Sequence, residues 1–225
     1  MSIFFTTFAR KYVQLYNPLM CIVFDLGGVI INLNVPRCVR NFMQLMDEEY
    51  IRTVLGIDDE GEGVVAVSAA TKQLMHDYEY GNISTDEFLK TLQQYCHPGT
   101  TIEQIRAAWL SMLDELPQER LDYIKELRAR GYKTVLLSNS NELHWQPIWD
   151  QYDLGSYFDA VFASQQLHMA KPNKDIYEYV AREAQLDPAT TIYVDDLEKN
   201  RAAGERYVGW QTVESIDELK KKCSM

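Results

Sequence analysis

The sequence predicts an α/β fold: a doubly wound parallel sheet with a small all-helical domain inserted after the first strand. Three observations lead there. From about residue 107 onward, apolar runs of strand length alternate with segments of helical spacing, the pattern of consecutive βα units. A lone run, Cys21-Ile22-Val23-Phe24, lies far upstream and is short, β-branched and aromatic, like a strand buried on both faces. Between them, residues 32–106 show helical spacing and no strong strand. The chain has 225 residues, enough for one large domain or two small ones.

Each element has a local reason. After the first strand come Asp25-Leu26 and the pair Gly27-Gly28, which lets the backbone turn sharply and approach a ligand closely. In the inserted block, Val39, Phe42, Met43 and Met46 recur at helical spacing, as do Leu74, Met75 and Tyr78 before Gly81-Asn82 ends that helix. Ser84-Thr85-Asp86-Glu87 is a capping box, followed by an apolar face of Phe88, Leu89, Leu92 and Tyr95 and a Pro98-Gly99 stop. Pro117 to Arg130 reads as a helix with Leu121, Ile124 and Leu127 inward and Gly131 closing it. Tyr132 to Leu137 is a strand, and Trp145, Ile148, Trp149 and Tyr152 form a helical stripe. Ala160 to Ala163 is a short strand, Asp175 to Ala184 a helix, and Thr191 to Val194 an apolar strand ending in Asp195-Asp196. Ala202 to Arg206 belongs to another helix, and Val208 to Val213 is the last strand. The domain reading is therefore 20–31 with 107–225 for the sheet domain and 32–106 for the helical insertion. Residues 1–19 read as an N-terminal extension, because Met20 directly precedes the first strand, and Arg10 and Lys11 follow the apolar Ile3-Phe4-Phe5, the reverse of a secretory signal.

Composition narrows the function classes. Hydrophobic residues make up 46% of the chain and charged residues 24%, as in an ordinary globular protein. The net charge is −11, and the only dense basic run is Lys220-Lys221-Lys222, so the footprint of a nucleic-acid binder is absent. An acidic protein that binds an anion must build its own positive field, from a metal ion, a lysine or helix N-termini. Cys21, Cys38, Cys96 and Cys223 are too widely spaced for a zinc site, and a small buried thiol such as Cys21 suits a reducing cytoplasm. No apolar run reaches the ~18 residues of a membrane span.

Four polar signals fall after predicted strands or before a helix: Asp25, Ser138-Asn139, Lys171 in Met169-Ala170-Lys171-Pro172-Asn173, and Asp195-Asp196. Each has a bland reading. An aspartate after a strand is often a turn or cap residue, Ser-Asn is often a turn, and a lone lysine is usually solvated. Adjacent aspartates can cap a helix, but they repel one another unless a cation neutralises them. The stripe of Trp145 and Trp149 with His144 reads as core packing rather than substrate contact. His76, His97 and His168 show no ligand spacing, and no spacing argument selects Tyr78 or Tyr80 to face a substrate.

In this order, the four signals resemble the haloacid dehalogenase superfamily of phosphohydrolases. The resemblance rests on Phe24-Asp25-Leu26-Gly27-Gly28-Val29, Leu137-Ser138-Asn139, Lys171-Pro172 with Ile176-Tyr177, and Val194-Asp195-Asp196 with Asn200. It spans residues 20 to about 213 and looks most like the branch of sugar-phosphate (glucose-1-phosphate type) phosphatases whose first motif reads Asp-Leu-Gly. It implies a Rossmann-like core under a helical cap, and magnesium-dependent hydrolysis of a small phosphorylated metabolite, in the cytoplasm, with no nucleic-acid or membrane partner. Asp25 would be the nucleophile that forms an aspartyl-phosphate. Magnesium would sit on Asp25, the Gly27 carbonyl and Asp196, with Asp195 in contact or one layer behind. Leu26, Gly27, Ser138, Asn139 and Lys171 would hold the phosphate, Lys171 also balancing the charge of the site.

One position departs from the pattern. The family commonly has a second aspartate two residues after the first, which protonates the leaving oxygen and then activates water; here that residue is Gly27. General acid–base catalysis is typically worth ~10²–10⁴-fold, so its loss weakens hydrolysis without abolishing it. Poor leaving groups should suffer most, unless the substrate, a water or a cap residue provides the proton. A sugar-phosphate mutase, which must protonate and deprotonate hydroxyls, fits Gly27 less well. A dehalogenase needs no metal and leaves Asp195-Asp196 unexplained. A non-catalytic binder of phosphometabolites has no need of a nucleophile.

Overall fold

The computed structural model describes residues 20–48, 50–51 and 69–223, so the expected extension at 1–19 lies outside the described residues. Among the described residues, five strands form a wholly parallel sheet: β1 (Cys21–Phe24), β2 (Lys133–Ser138), β3 (Ala160–Ala163), β4 (Thr191–Val194) and β5 (Gln211–Val213), in the order β3-β2-β1-β4-β5. The strand that comes first in sequence thus lies in the middle. Cys21 pairs with Lys133 on one side and Thr191 on the other, and Phe24 with Leu136 and Val194. This central place is why β1 reads as a continuous apolar run.

The helices, numbered in chain order, are α1 (Val35–Phe42), α2 (Ala69–Glu79), α3 (Thr85–Gln93), α4 (Ile102–Leu110), α5 (Gln118–Ala129), α6 (Glu142–Tyr152), α7 (Ser164–Leu167), α8 (Lys174–Glu183), α9 (Glu198–Val208) and α10 (Ile216–Cys223). Side chains alternate across a strand, so each sheet face has its own core. Ile22 and Phe24 share one core with Ile124 and Leu127 of α5, Ile148 of α6 and Leu219 of α10. Cys21 and Val23 share another with Ile176, Tyr177 and Val180 of α8 and Ala203 of α9. Each fully buried Phe or Ile contributes roughly 1.5–3 kcal/mol of transfer free energy.

The insertion has a third core, built on Phe42, Phe88, Leu89, Leu92, Ile105 and Trp109. The expected capping box is present: the Ser84 N–H donates to Glu87 Oε2 at 2.9 Å and the Glu87 N–H returns to Ser84 Oγ at 3.3 Å. The boundary expected after residue 106 falls inside α4, whose Ile105, Ala108 and Trp109 all pack in the cap core. The chain crosses between the layers on two extended segments that bond to each other, with Asn34 N–H on Met112 O at 2.7 Å and Asp114 N–H on Asn32 O at 3.0 Å. The last strand is shorter than the expected Val208 to Val213. Val208 ends α9 and Gly209, at φ 71°, caps it, so pairing starts only at Gln211.

The cap is fastened across the C-terminal edge of the sheet by polar contacts at the end of α2 and the start of α6. The Leu143 N–H donates to the Tyr78 hydroxyl at 3.1 Å, Thr85 Oγ1 donates to Glu142, and His168 Nδ1 donates to Tyr80 O at 2.7 Å. Gly81 has φ 66°, and a Cβ there would lie 2.1 Å from the Gln165 carbonyl oxygen. Gly81→Ala therefore meets both a left-handed backbone penalty of about 1–2 kcal/mol and a backbone clash. It should lower stability in urea unfolding by at least that amount. Wild-type stability would mean that this end of the cap is not held against the sheet domain.

Candidate active site

The C-terminal ends of parallel strands share one edge, and three of the four sequence signals converge there because β1, β2 and β4 are neighbours. Asp25 follows β1 and its N–H donates to Val194 O at 2.8 Å. Lys171, from the loop before α8, places its ammonium 2.9 Å from Asp25 Oδ1, 2.7 Å from Asp195 Oδ2 and 3.1 Å from the Leu137 carbonyl oxygen. An ammonium has three N–H donors, and these partners take all of them. Asn139 holds the lysine in place. Its Nδ2 donates to Lys171 O and its Oδ1 accepts from Lys171 N–H, both at 2.8 Å.

The two adjacent aspartates have different surroundings. Asp195 is fully buried. It accepts from Leu197 N–H at 2.9 Å, from Asn200 Nδ2 at 3.1 Å, from Lys171 and from the Tyr193 hydroxyl. Asp196 is exposed, and its carboxylate lies over Gly28, where a Cβ would sit 2.3 Å from Oδ2. Gly28 also has φ 77°, so its backbone and its space both require glycine. One carboxylate oxygen each from Asp25, Asp195 and Asp196 fits within a 4.8 Å span. Three carboxylates against one ammonium leave two negative charges, and the donor set is all oxygen; both suit one hard divalent cation.

The electrostatics follow from burial. Burial raises the Asp25 carboxyl to about 7, Asp195 adding to the rise and Lys171 opposing it. Burial, with repulsion from Asp195, also raises Asp196. Burial disfavours the Lys171 charge, but Asp25 and Asp195 outweigh it and hold the ammonium above its ordinary value.

Beside this cluster is a cavity of about 460 Å³ between sheet domain and cap. Leu26, Gly27, Ser138 and Asn139 line one wall, and Met75, Glu79 and Trp109 the other. The structure thus brings Leu26, Gly27, Ser138 and Asn139 to a common wall. Lys171 is not on it: its donors point inward to the carboxylates and Leu137. The tyrosines of the cap divide. Tyr78 is buried and stacked on Phe88 with centroids 4.0 Å apart, while Tyr80 stacks on His76 and accepts from Asn173; neither lines the cavity. Trp145 and Trp149 stack on each other in the core, as expected. His144 does both jobs. It stacks on Trp109, donates from Nε2 to Trp109 O at 3.0 Å, and also lines the cavity, with burial lowering its pKa to about 4. The sequence had no signal for Glu79, a single acid between two tyrosines on a cap helix.

Comparison with known proteins settles the family. A profile of haloacid dehalogenase-like hydrolases matches residues 19–206. The chain belongs to the haloacid dehalogenase-like hydrolase family. A D-ribitol-5-phosphate phosphatase of Bacteroides thetaiotaomicron is 30% identical over 197 residues, covering 85% of this chain and 89% of the relative. A sesquiterpene phosphatase of Aspergillus oryzae is 24% identical over 81% of this chain and 83% of its own length. A haloacid dehalogenase family enzyme from Bacteroides thetaiotaomicron, solved in complex with magnesium and inorganic phosphate, superposes with a TM-score of 0.70 at 28% identity, covering 87% of this chain and 93% of that one. A hydrolase of the same family type from Porphyromonas gingivalis gives 0.76 at 30% identity, over 92% and 98%.

The buried charge cluster makes a stability prediction. Lys171→Met removes the cation paired with Asp25 and Asp195, and breaking a buried pair costs about 3–5 kcal/mol. Asp25, which burial already raises, then loses the charge that opposed the rise, so the loss should be largest at pH 8 and shrink toward pH 5 as it protonates. Urea unfolding at both pH values, with EDTA present, measures this. Equal losses at the two would point to packing rather than charge.

Proposed function

We propose that this chain is a magnesium-dependent phosphoric monoester hydrolase acting on a small phosphorylated metabolite through an aspartyl-phosphate. The observation that carries the reading is the convergence of Asp25, Lys171, Asp195 and Asp196 at the sheet edge, beside a cavity walled by Ser138 and Asn139. Relatives named as phosphatases and a neighbour solved with magnesium and phosphate support it.

Asp25 attacks phosphorus. Leu26 N–H (2.7 Å) and Lys171 both bond its Oδ1, and these two donors orient the carboxylate. Asp25, the Gly27 carbonyl oxygen and Asp196 would hold the magnesium ion, with Asp195 bracing Lys171 behind them. Bound there, magnesium neutralises the excess negative charge and draws charge from the phosphate oxygens. The Ser138 hydroxyl, now lying 3.2 Å from Asn139 O, and the backbone N–H groups of Gly27 and Asn139 are the donors for the remaining phosphate oxygens, while the Leu26 N–H, expected to join them, is held by Asp25 Oδ1. The cavity has room for a sugar- or polyol-sized group, and the ribitol phosphate relative makes that class the first to test.

Phosphate release from a panel of acyl, aryl, sugar and polyol phosphates, with and without magnesium, tests this reading. Turnover should require magnesium, vanish in EDTA and return on its re-addition. Full activity in EDTA, or none on any phosphate, would overturn it. Asp25→Asn should fold and lose essentially all turnover; retention of more than a few per cent of wild-type activity would rule out the covalent step. Asp196→Asn should raise the magnesium concentration for half-maximal activity, by about tenfold if one carboxylate ligand is worth ~1.4 kcal/mol.

A further inference from the structure

The residue at position 27 has no side chain, so the proton for the leaving oxygen needs another source. The titratable side chains lining the cavity are Lys72, His76, Glu79, His144 and Lys199. The group sought must give a proton to the leaving group and later take one from water. A lysine ammonium offers donors only and has no lone pair to accept a proton from water. His144 is buried, and its Nε2–H is committed to Trp109 O while its Nδ1 faces Asn141 Nδ2 at 3.4 Å. His76 is exposed, 3.5 Å from Asp77 and stacked on Tyr80. Glu79 remains, the one carboxylic acid among the described lining residues.

Its placement is firm. Glu79 ends α2, and its carbonyl oxygen accepts from Ser164 Oγ at 2.8 Å. The same Oγ accepts from Ser140 N–H at 3.0 Å. One hydroxyl therefore ties the Glu79 backbone to the loop that carries Ser138 and Asn139. The neighbouring Tyr80 and Gly81 are held by His168 and against Gln165. The Glu79 carboxyl group, by contrast, makes no hydrogen bond to the described residues, and Glu79 lines the cavity. Burial raises its pKa, opposed by the charges of Lys199 and His76, and so favours the protonated form that a general acid needs.

We propose that Glu79 of the cap is the general acid and base of the reaction, in place of the side chain absent at Gly27. The inference rests on the phosphatase reading above. In the first half, an Asp25 oxygen forms the bond to phosphorus while the bond to the leaving oxygen breaks; that oxygen keeps the electron pair and takes the Glu79 proton. In the second half, water attacks phosphorus as the Asp25–phosphorus bond breaks. Glu79 takes the proton of that water and returns to its starting state, and Asp25 leaves as a carboxylate.

The test compares wild type with Glu79→Gln across p-nitrophenyl phosphate, other aryl phosphates, and ribitol 5-phosphate as a primary alkyl ester, all with magnesium. Gln keeps the size and hydrogen-bonding reach of Glu but has no transferable proton. The loss in kcat/KM should grow with leaving-group pKa, smallest for p-nitrophenyl phosphate and on the order of 10²–10⁴-fold for the alkyl ester. With p-nitrophenyl phosphate the variant should also show a burst of one p-nitrophenol per enzyme, because the aspartyl-phosphate waits for an unassisted water. Gly27→Asp in the Glu79→Gln background should flatten the slope again. A side chain there has no positive φ to oppose it, and its Cβ meets only the movable end of Leu33 at 3.1 Å. A loss equal across all leaving groups, or no loss, would overturn the assignment of Glu79 while leaving the phosphatase reading intact. Failure of wild type on every phosphate would instead overturn that reading, and this inference with it.

Discussion

Lys171 carries a positive charge to a place where Asp25 and Asp195 have lost their water, and much of the site's geometry depends on how those three groups are satisfied. A buried ion is tolerated only when its partners are close and complete. Here the ammonium has three acceptors, and Asp195 collects donors from Leu197, Asn200, Tyr193 and Lys171. The bonds come from the ends of β1, β2 and β4 and from the loop before α8. They can form together only when the sheet is assembled with β1 between β2 and β4. The charge cluster and the strand order therefore support each other.

The same cluster separates the roles of Asp195 and Asp196. Asp195 is committed on both oxygens and braces the lysine. Asp196, one residue on, emerges over Gly28 with its carboxylate exposed. With Asp25 it leaves the edge of the sheet over-supplied with negative charge. A site in that state suits a hard cation. In the proposed chemistry the cation and Lys171, rather than the net charge of −11, supply the local positive field that an anion needs.

The cap adds what the sheet edge lacks. It has its own apolar core, and contacts from Tyr78, Tyr80 and Gly81 at the end of α2 and from Thr85 at the start of α3 hold it against the segments that follow β2 and β3. The cavity is bounded by both layers as a result, with polar backbone and hydroxyl groups on one wall and Met75, Trp109 and Glu79 on the other. In the proposed chemistry, phosphate transfer and leaving-group recognition are divided between two domains joined by a pair of mutually bonded segments.

The sheet and its functional edge were largely legible because their signals are local. Cys21 to Phe24 had to be a strand buried on both faces, the βα alternation implied parallel pairing, and parallel strands put Asp25, Ser138 and Asp195 at one edge. The capping box at Ser84 and the stop at Gly81 were readable for the same reason. Where local signals compete, the sequence was less certain: Gly209 cut the last strand short, and α4 carried the cap past the expected boundary. Other features exist only between distant segments. That Asn139 uses its side chain to seat Lys171 depends on a contact 32 residues apart. That Lys171 turns inward, that Asp195 and Asp196 have different surroundings, and that Glu79 rather than Tyr78 or Tyr80 lines the cavity are equally long-range outcomes. Short-range periodicity and strand-end chemistry determine where reactive groups can gather; only packing of the two domains decides which side chains are consumed in holding the site and which are left open to a substrate.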